Sequence, residues 1–556
     1  MKNENLKGWI NSGAPGVWLS AGAVSIAVIM TVGLLLLIAV RGLGHFWPSD
    51  VQQASYQVPG LAAQTLVGEV VETEQVPRER LRAMATSVPA AGPTTLTREL
   101  LKVGNRDLYG NDFVWVVADW LQGVQAPPEL MTLERLEWGN FYGRLMDVRE
   151  GGVVIARGAE AWAQLAPRLK RVRQLRDELD RIQAKDVANI NHALEAARLH
   201  AHKLELAERF DATAQADFEA EQSILKGRYA EAEVRLNALR RQIDRDSLTA
   251  VEAGGKTVTI SLGQVVHAYR PNAMGLQAKV GFYFTKLWEF LSTGPREANT
   301  EGGVFPAIFG TVMMTLIMAV IVTPFGVLAA VYMREYARQG WMTRLIRIAV
   351  NNLAGVPAIV YGVFGLGFFV YVLGGSLDRL LFPEALPAPT LGTPGLLWAS
   401  LTLALLAVPV VIVATEEGLA RIPRSLREGS LALGATRAET LFKVVLPMAT
   451  PAMMTGMILA IARAAGEVAP LMLVGVVKMA PALPVDSHFP YVHLDQKIMH
   501  LGFHIYDVGF QSPNVEAARP LVYATALLLV LVIALLNLSA VALRNHLREK
   551  YKGLDS

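Results

Sequence analysis

The sequence predicts an α-helical membrane protein of six transmembrane helices that carries a water-soluble α+β insert. Three observations predict it. Six apolar runs are each long enough to cross a hydrocarbon core of roughly 30 Å. Mean hydropathy is +0.32 with 52% hydrophobic residues, yet 18% of residues are charged, so much of the chain is wet. The stretch 42–302, between the first two runs, contains no apolar span at all. At 556 residues the chain exceeds one typical soluble domain. A net charge of +3 argues neither for nor against a nucleic-acid partner, while zero cysteines exclude disulfides, thiolate metal sites and cysteine nucleophiles.

Residues 1–17 read as a short N-terminal tail with Lys2 and Lys7. Trp18–Val40 is the first span, closed by Arg41. A cleaved signal would have a shorter apolar core and a small-residue cleavage site, so an uncleaved span is expected. The insert 42–302 opens with β-like runs at 65–71, 113–117 and 153–156, between turn signals such as Gly110-Asn111 and Gly151-Gly152. The expected β-containing part covers about 48–160 and 250–270. From about Leu165 to Leu248 glycine and proline nearly vanish, and Val172, Leu175, Leu179 and Ile182 step at three and four. Tyr229, Ala232, Leu236, Leu239 and Ile243 do the same, but the two registers do not join. Two long helices in an antiparallel, coiled-coil-like hairpin are expected, with a single long helix as the alternative.

Five further spans are expected at about 304–331, 345–373, 396–414, 452–477 and 521–543, inside a core of 303–543. Pro324, Pro357 and Pro409 fall within these runs, a placement membrane helices tolerate where neighbours satisfy the freed carbonyls. Arginines cluster in alternate loops: Arg334, Arg338, Arg344 and Arg347; then Arg421, Arg424, Arg427, Arg437 and Lys443; then Arg544, Arg548, Lys550 and Lys552 in the tail 544–556. The positive-inside rule therefore puts both termini in the cytoplasm and the insert on the outer side, periplasmic where an outer membrane exists.

Within the expected fifth span, Arg463 and Glu467 stand four apart, so one helix face presents both. Either they form a self-neutralised packing pair, or Arg463 offers a permanent guanidinium fork to an anion while Glu467 holds or gates it. Phosphate suits such a fork. Glu416 and Glu417, at the end of the fourth run, read as a solvated boundary or as acids that pair with a partner subunit or nearby arginines. Asn351 and Asn352, near the start of the third, read as packing groups beside small residues, with substrate contact as the alternative. His500 and His504 have i, i+4 spacing but no HExxH pattern, so no metal is expected. A Walker A motif, a nucleophile elbow and a dinucleotide fingerprint are all missing from the sequence, and its basic residues flank the spans rather than form a nucleic-acid patch.

The cytoplasmic loop 416–451 holds RIPRSLREGSLALGATRAETLFKVVLP, two short helices broken at Gly434, the second expected to stop at Pro447. With no nucleophile in it, such a segment is shaped for docking. It resembles the coupling (EAA) loop of ABC importer permeases, E-A-A-x3-G-x9-I-x-L-P. Glu428, Gly429 and Ser430 take the first three positions, Gly434 the glycine, Val444 the isoleucine, and Leu446-Pro447 the end; Gly429, Ser430 and Val444 are the departures. The region from GGVFPAIFGT through NLAGVPAIVYG to GEVAPL resembles PstA-type phosphate permeases. The resemblance covers the spans but not the insert.

That resemblance implies a type I ABC importer permease that moves inorganic phosphate across the cytoplasmic (inner) membrane. It implies a heterodimer with a PstC-type permease, a PstB-type ATPase dimer that binds ATP and Mg, and a periplasmic phosphate-binding protein. This chain would be a transport subunit in the lipid bilayer, with no catalytic residue, no cofactor and no nucleic-acid partner of its own. A permease for sulfate or molybdate, and a membrane-anchored scaffold or sensor acting through its helical arm, are the alternatives.

Overall fold

A computed structural model describes residues 12–59, 61–84, 93–512 and 515–551. Most of the N-terminal tail, and Lys552, lie outside them. The chain divides into two compact units: one comprises the described residues up to Phe46, Val304–Phe369 and those from Pro394 onward, the other Trp47–Gly303 with Val370–Thr393.

Among the described residues, six helices are long and apolar enough to cross a membrane. The first, α1 (Ala14–Gly44), keeps its apolar side chains exposed along its length, as a lipid-facing helix does.

The insert is built on two antiparallel sheets. The first has the order β4-β3-β2-β1-β5, from β1 (Val51–Tyr56), β2 (Gln64–Pro77), β3 (Thr95–Lys102), β4 (Phe113–Val117) and β5 (Leu121–Gln125). The second runs β10-β9-β7-β6-β11, with β8 (Val153–Arg157) beside β7. Its members are β6 (Leu130–Arg135), β7 (Asn140–Glu150), β9 (Asp246–Val251), β10 (Thr257–Ser261) and β11 (Val265–Tyr269). Sequence patterning misses β6, because Glu134 and Arg135 sit inside and break the apolar signal. Arg135 Nη2 lies 2.9 Å from Asp107 Oδ1, and Lys286 pairs with Glu134.

The helical arm starts at Gly158, earlier than the glycine- and proline-poor stretch suggests. Helix α2 (Gly158–Arg181) passes through a wide turn at Ile182–Val187 into α3 (Ala188–Leu206), and α4 (Ala212–Ile243) returns. Asp211 caps α4 by accepting from the Ala214 amide at 2.9 Å. Leu165 and Val172 of α2 and Ile243 of α4 share one apolar cluster with Phe141, Val148 and Leu248 of the second sheet, so the base of the arm grows out of the insert's core. His202 of α3 places Nδ1 2.7 Å from the Glu384 carbonyl oxygen, in the Val370–Thr393 segment of the same unit. Helix α5 (Leu276–Ser292) is the last helix of the insert longer than one turn.

The spans resume with α6 (Phe305–Tyr336). The third span differs from the expected 345–373. Trp341–Leu353 is a separate amphipathic helix, α7, carrying Arg344 and Arg347, and the span proper is α8 (Ala358–Leu381). Pro357 makes the break: it stands outside the span in an extended conformation, φ −56 and ψ 135, where it caps α8. Asn351 and Asn352 therefore lie exposed at the end of α7, not inside a span. The fourth span is α9 (Leu396–Arg421), buried over about two thirds of its apolar stretch, around Leu403, Ala407 and Val411.

The fifth also differs. Helix α11 runs Arg437–Gly466, straight through Pro447, instead of stopping there and restarting for 452–477. A wide turn at Leu441–Val445 opens the hydrogen-bond ladder ahead of the proline ring, which removes the clash that would end a regular helix. The helix stops at Gly466 because Glu467 turns extended, with φ −80 and ψ 136. A short helix, α12 (Leu501–Tyr506), precedes the final α13 (Val515–Tyr551).

Burial alone would raise the Glu134 carboxyl, but the Lys286 ammonium and the His267 ring outweigh it and hold it at about 2, against 4.5 for an ordinary glutamate. A depressed acid contributes its stabilisation fully above the unfolded value and loses it as pH falls through the folded one. The stability gap between wild type and Glu134→Gln should thus be widest at neutral pH and shrink between about 4.5 and about 2. Protease resistance of the insert in the full-length chain, titrated with pH, measures that gap.

Candidate functional site: a coupling loop and a charged helix end

The loop between α9 and α11 is organised by one arginine. A helix end leaves carbonyls without intrahelical donors. Arg427 fills that role for α9, donating from Nη1 to Ile422 O and from Nη2 to Leu419 O, each at 2.9 Å. The same Nη2 lies 2.9 Å from Glu335 Oε1, in the last turn of α6. Arg427 belongs to α10 (Arg424–Ala432), so α10 is fastened to the ends of two spans. Sequence reading passes over Arg427 because one more arginine in a basic loop carries no signal of its contacts.

Gly434 ends α10 at φ +89, in the left-handed region. Its amide donates to Leu431 O at 3.0 Å and the Ala435 amide to Ser430 O at 3.2 Å, the double closure of a glycine C-cap. Thr436 then caps α11 through reciprocal bonds with Glu439. Ser430 and Thr440 share a hydroxyl contact of 2.9 Å that joins the two helices. Leu441 and Val445 turn inward with Val331, Leu419, Ile422 and Ala449, and Leu446 packs on that cluster. Val444 and Pro447 are half-buried. Outward, Glu428 and Gly429 are exposed, as are Leu426, Leu431, Phe442 and above all Leu433, at 91%. The loop is rigid on its inner side and apolar on its outer one.

Arg463 and Glu467 lie at the C-terminal end of α11 rather than deep inside a span. Arg463 Nε is 3.5 Å from Glu467 Oε1, with the side chains 34% and 23% exposed. Just beyond them, Gly362 of α8 meets the backbone of Pro470; a Cβ there would stand 2.7 Å from Pro470 Cα, so only glycine lets the third span come this close. Tyr361, beside it, donates its hydroxyl to Leu353 O at 2.6 Å. Near the C-terminal end of α9, Glu416 pairs with Arg347 of α7, which resolves the two acids there: one is paired within the chain and Glu417 is exposed. His500 and His504 are both buried, and His500 Nδ1 accepts from the Gly502 amide at 3.1 Å. Among the described residues no three metal-ligand side chains converge.

The two glycines of α10 should respond oppositely. Gly429 stands within the helix with open space where a Cβ would go, so Gly429→Ala should stabilise α10 by about 0.5–1 kcal/mol. Gly434→Ala places a Cβ on a left-handed backbone and should cost about 1–2 kcal/mol. Hydrogen exchange of the α10 amides in the full-length protein reads both shifts.

Residues 322–553 match the family described as binding-protein-dependent transport system inner membrane component. The chain is 35% identical over 262 residues to phosphate transport system permease protein PstA 1 of Mycobacterium tuberculosis, covering 46% of this chain and 75% of that one. It is 34% identical over 204 residues to the probable ABC transporter permease protein YqgH of Bacillus subtilis, covering 36% of this chain and 62% of that one. Against Xylella fastidiosa PstC the figures are 31% over 221 residues, 38% and 65%. A structure of the inward-facing MetNI methionine ABC transporter aligns at 20% identity, over 47% of this chain and 98% of its own, with a TM-score of 0.32. The spans, the loop and these relatives lead to one conclusion: the chain belongs to the PstA-type permeases of ABC importers.

Proposed function

We propose that this chain is the PstA-type half of a pore that imports inorganic phosphate across the cytoplasmic membrane, driven by ATP hydrolysed on a partner. The observation that carries the reading is the exposed outer side of α10 and its flanking turn. Leu426, Leu431 and Leu433 stand in the open beside Glu428, on a helix whose inner side is clamped. A rigid helix with an uncovered apolar face, projecting from the ends of two spans, is suited to lie in a groove of an ATPase subunit. Closure of a PstB-type ATPase dimer, which would hold the ATP and Mg, then moves the spans as bodies and switches access from outside to inside. Glu428, Gly429, Ser430 and Gly434 form the docking side; Val444, Leu446 and Pro447 join it to the fifth span.

Phosphate as the cargo is supported by the names of the relatives and by Arg463. The contact with Glu467 is made by Nε at 3.5 Å, and the partly exposed guanidinium can offer N–H groups to an oxyanion. A PstC-type permease completes the pore, and a periplasmic phosphate-binding protein delivers the anion. The arginines flanking the spans favour cytoplasmic termini and a periplasmic insert.

The test is ATP-dependent uptake of labelled phosphate into proteoliposomes that hold the chain with these partners. Wild type should take up phosphate without competition from sulfate or molybdate, and Arg463→Ala should lose uptake by at least about tenfold, the loss of one charge-assisted contact, while assembly and ATPase activity persist. Uptake unchanged in Arg463→Ala makes the pair a packing device; transport of sulfate or molybdate in place of phosphate overturns the cargo.

A further inference from the structure

Helix α5 is built inside out. All its charged residues turn into the insert. Lys279 Nζ lies 2.5 Å from Asp50 Oδ1, Lys286 pairs with Glu134, and Glu289 Oε1 lies 2.7 Å from His267 Nε2. Its outward stripe is Leu276, Val280, Phe284 and Trp288, one every fourth residue, with Leu276 72%, Phe284 62% and Trp288 69% exposed. Between them lie Gln277, Gly281 and Thr285, none charged. A helix that faces water shows the reverse pattern, apolar side inward and charges outward. Four large apolar groups in a row, with every charge withdrawn behind them, need a cover.

The chain's own connectivity says which cover. Trp47 packs its ring 6.2 Å from that of Tyr283 in α5, and Trp47 follows closely on Gly44, where the first span helix ends. Three residues reach at most about 10 Å. At its other end α5 leads through a two-residue hairpin, Pro295–Arg296 against Glu301–Gly302, into Phe305, where the second span begins. The helix is therefore tethered at both ends to segments that enter the bilayer. Tryptophan and tyrosine, the residues that settle at membrane interfaces, sit on it and against it.

We propose that the stripe Leu276, Val280, Phe284 and Trp288 lies in the interfacial layer of the lipid bilayer, so that α5 is an amphipathic helix docked on the membrane surface and the insert rests on lipid through it. Its ion pairs with the insert hold the helix at a fixed rotation, which keeps that stripe turned towards the headgroups.

The chain contains no cysteine, so a single fluorophore can be placed by Phe284→Cys or Trp288→Cys in the full-length protein. Both side chains are exposed, and their loss leaves the insert's core untouched. Val153→Cys, 67% exposed on β8, is the control. In vesicles of phosphatidylethanolamine and phosphatidylglycerol doped with a nitroxide-bearing lipid, the label at 284 and 288 should be quenched several-fold more than at 153. Aqueous iodide should show the reverse order. Equal quenching by iodide at all three sites would put the stripe in water and overturn the proposal. Protection of 284 and 288 from both quenchers would overturn it too, since another protein or a second copy would then be the cover.

Discussion

Arg427 is the contact on which the loop end of this permease depends. One guanidinium caps the end of α9 through Leu419 O and Ile422 O and ties it to Glu335 at the end of α6. A planar fork does this where a lysine, a single point donor, would not. Leu441, Val445 and Ala449 of the following helix close the apolar cluster beside it with Val331 and Ile422. The consequence is mechanical: any force applied to α10 reaches three spans through short, fixed contacts rather than through a flexible loop. The continuous passage of α11 through Pro447 serves the same end, since the helix that leaves the loop is the one that carries Arg463 in its last turn.

The insert obeys a different logic. Its second sheet buries ionic groups at the centre, with Glu134, Lys286, His267 and Glu289 in one network and Arg135 with Asp107 beside it. Buried pairs cost desolvation, and replacement by apolar residues would often be neutral or stabilising, so their value here is geometric. They fasten α5 in one orientation and leave its apolar side outward. Water-soluble in composition, the insert thus carries one face made for lipid.

Much of this was readable from residues. Apolar length alone locates α1, α6, α9 and α13, and the spacing from Glu428 to Pro447 marks the loop, because both signals are local. The failures share a cause. The third run looked continuous from Leu345 because α7 is amphipathic and apolar enough to merge with α8; only the conformation of Pro357 separates them. Pro447 read as a stop because a wide turn five residues long leaves no trace in composition. Strand β6 was hidden by charges that pair across the fold, and α5 by a face that looks like an ordinary core stripe until its exposure is known. Arg427 is in view as a positive charge, but its carboxylate partner Glu335 lies 92 residues away, and its contacts with the nearby Leu419 and Ile422 carbonyls depend on how α10 folds back on the end of α9. Tertiary partners decide each of these, and a single sequence does not display them.

The proposed coupling requires the clamped loop to transmit motion from the ATPase to the pore. Transport stoichiometry tests it most directly: phosphate moved per ATP hydrolysed, measured in the assembled complex for wild type and Arg427→Ala. With the clamp gone, α10 can still dock while the carbonyls of α9 and the carboxylate of Glu335 lose their shared donor. ATP hydrolysis should persist while phosphate moved per ATP falls several-fold. An unchanged ratio in an assembled Arg427→Ala complex would contradict it.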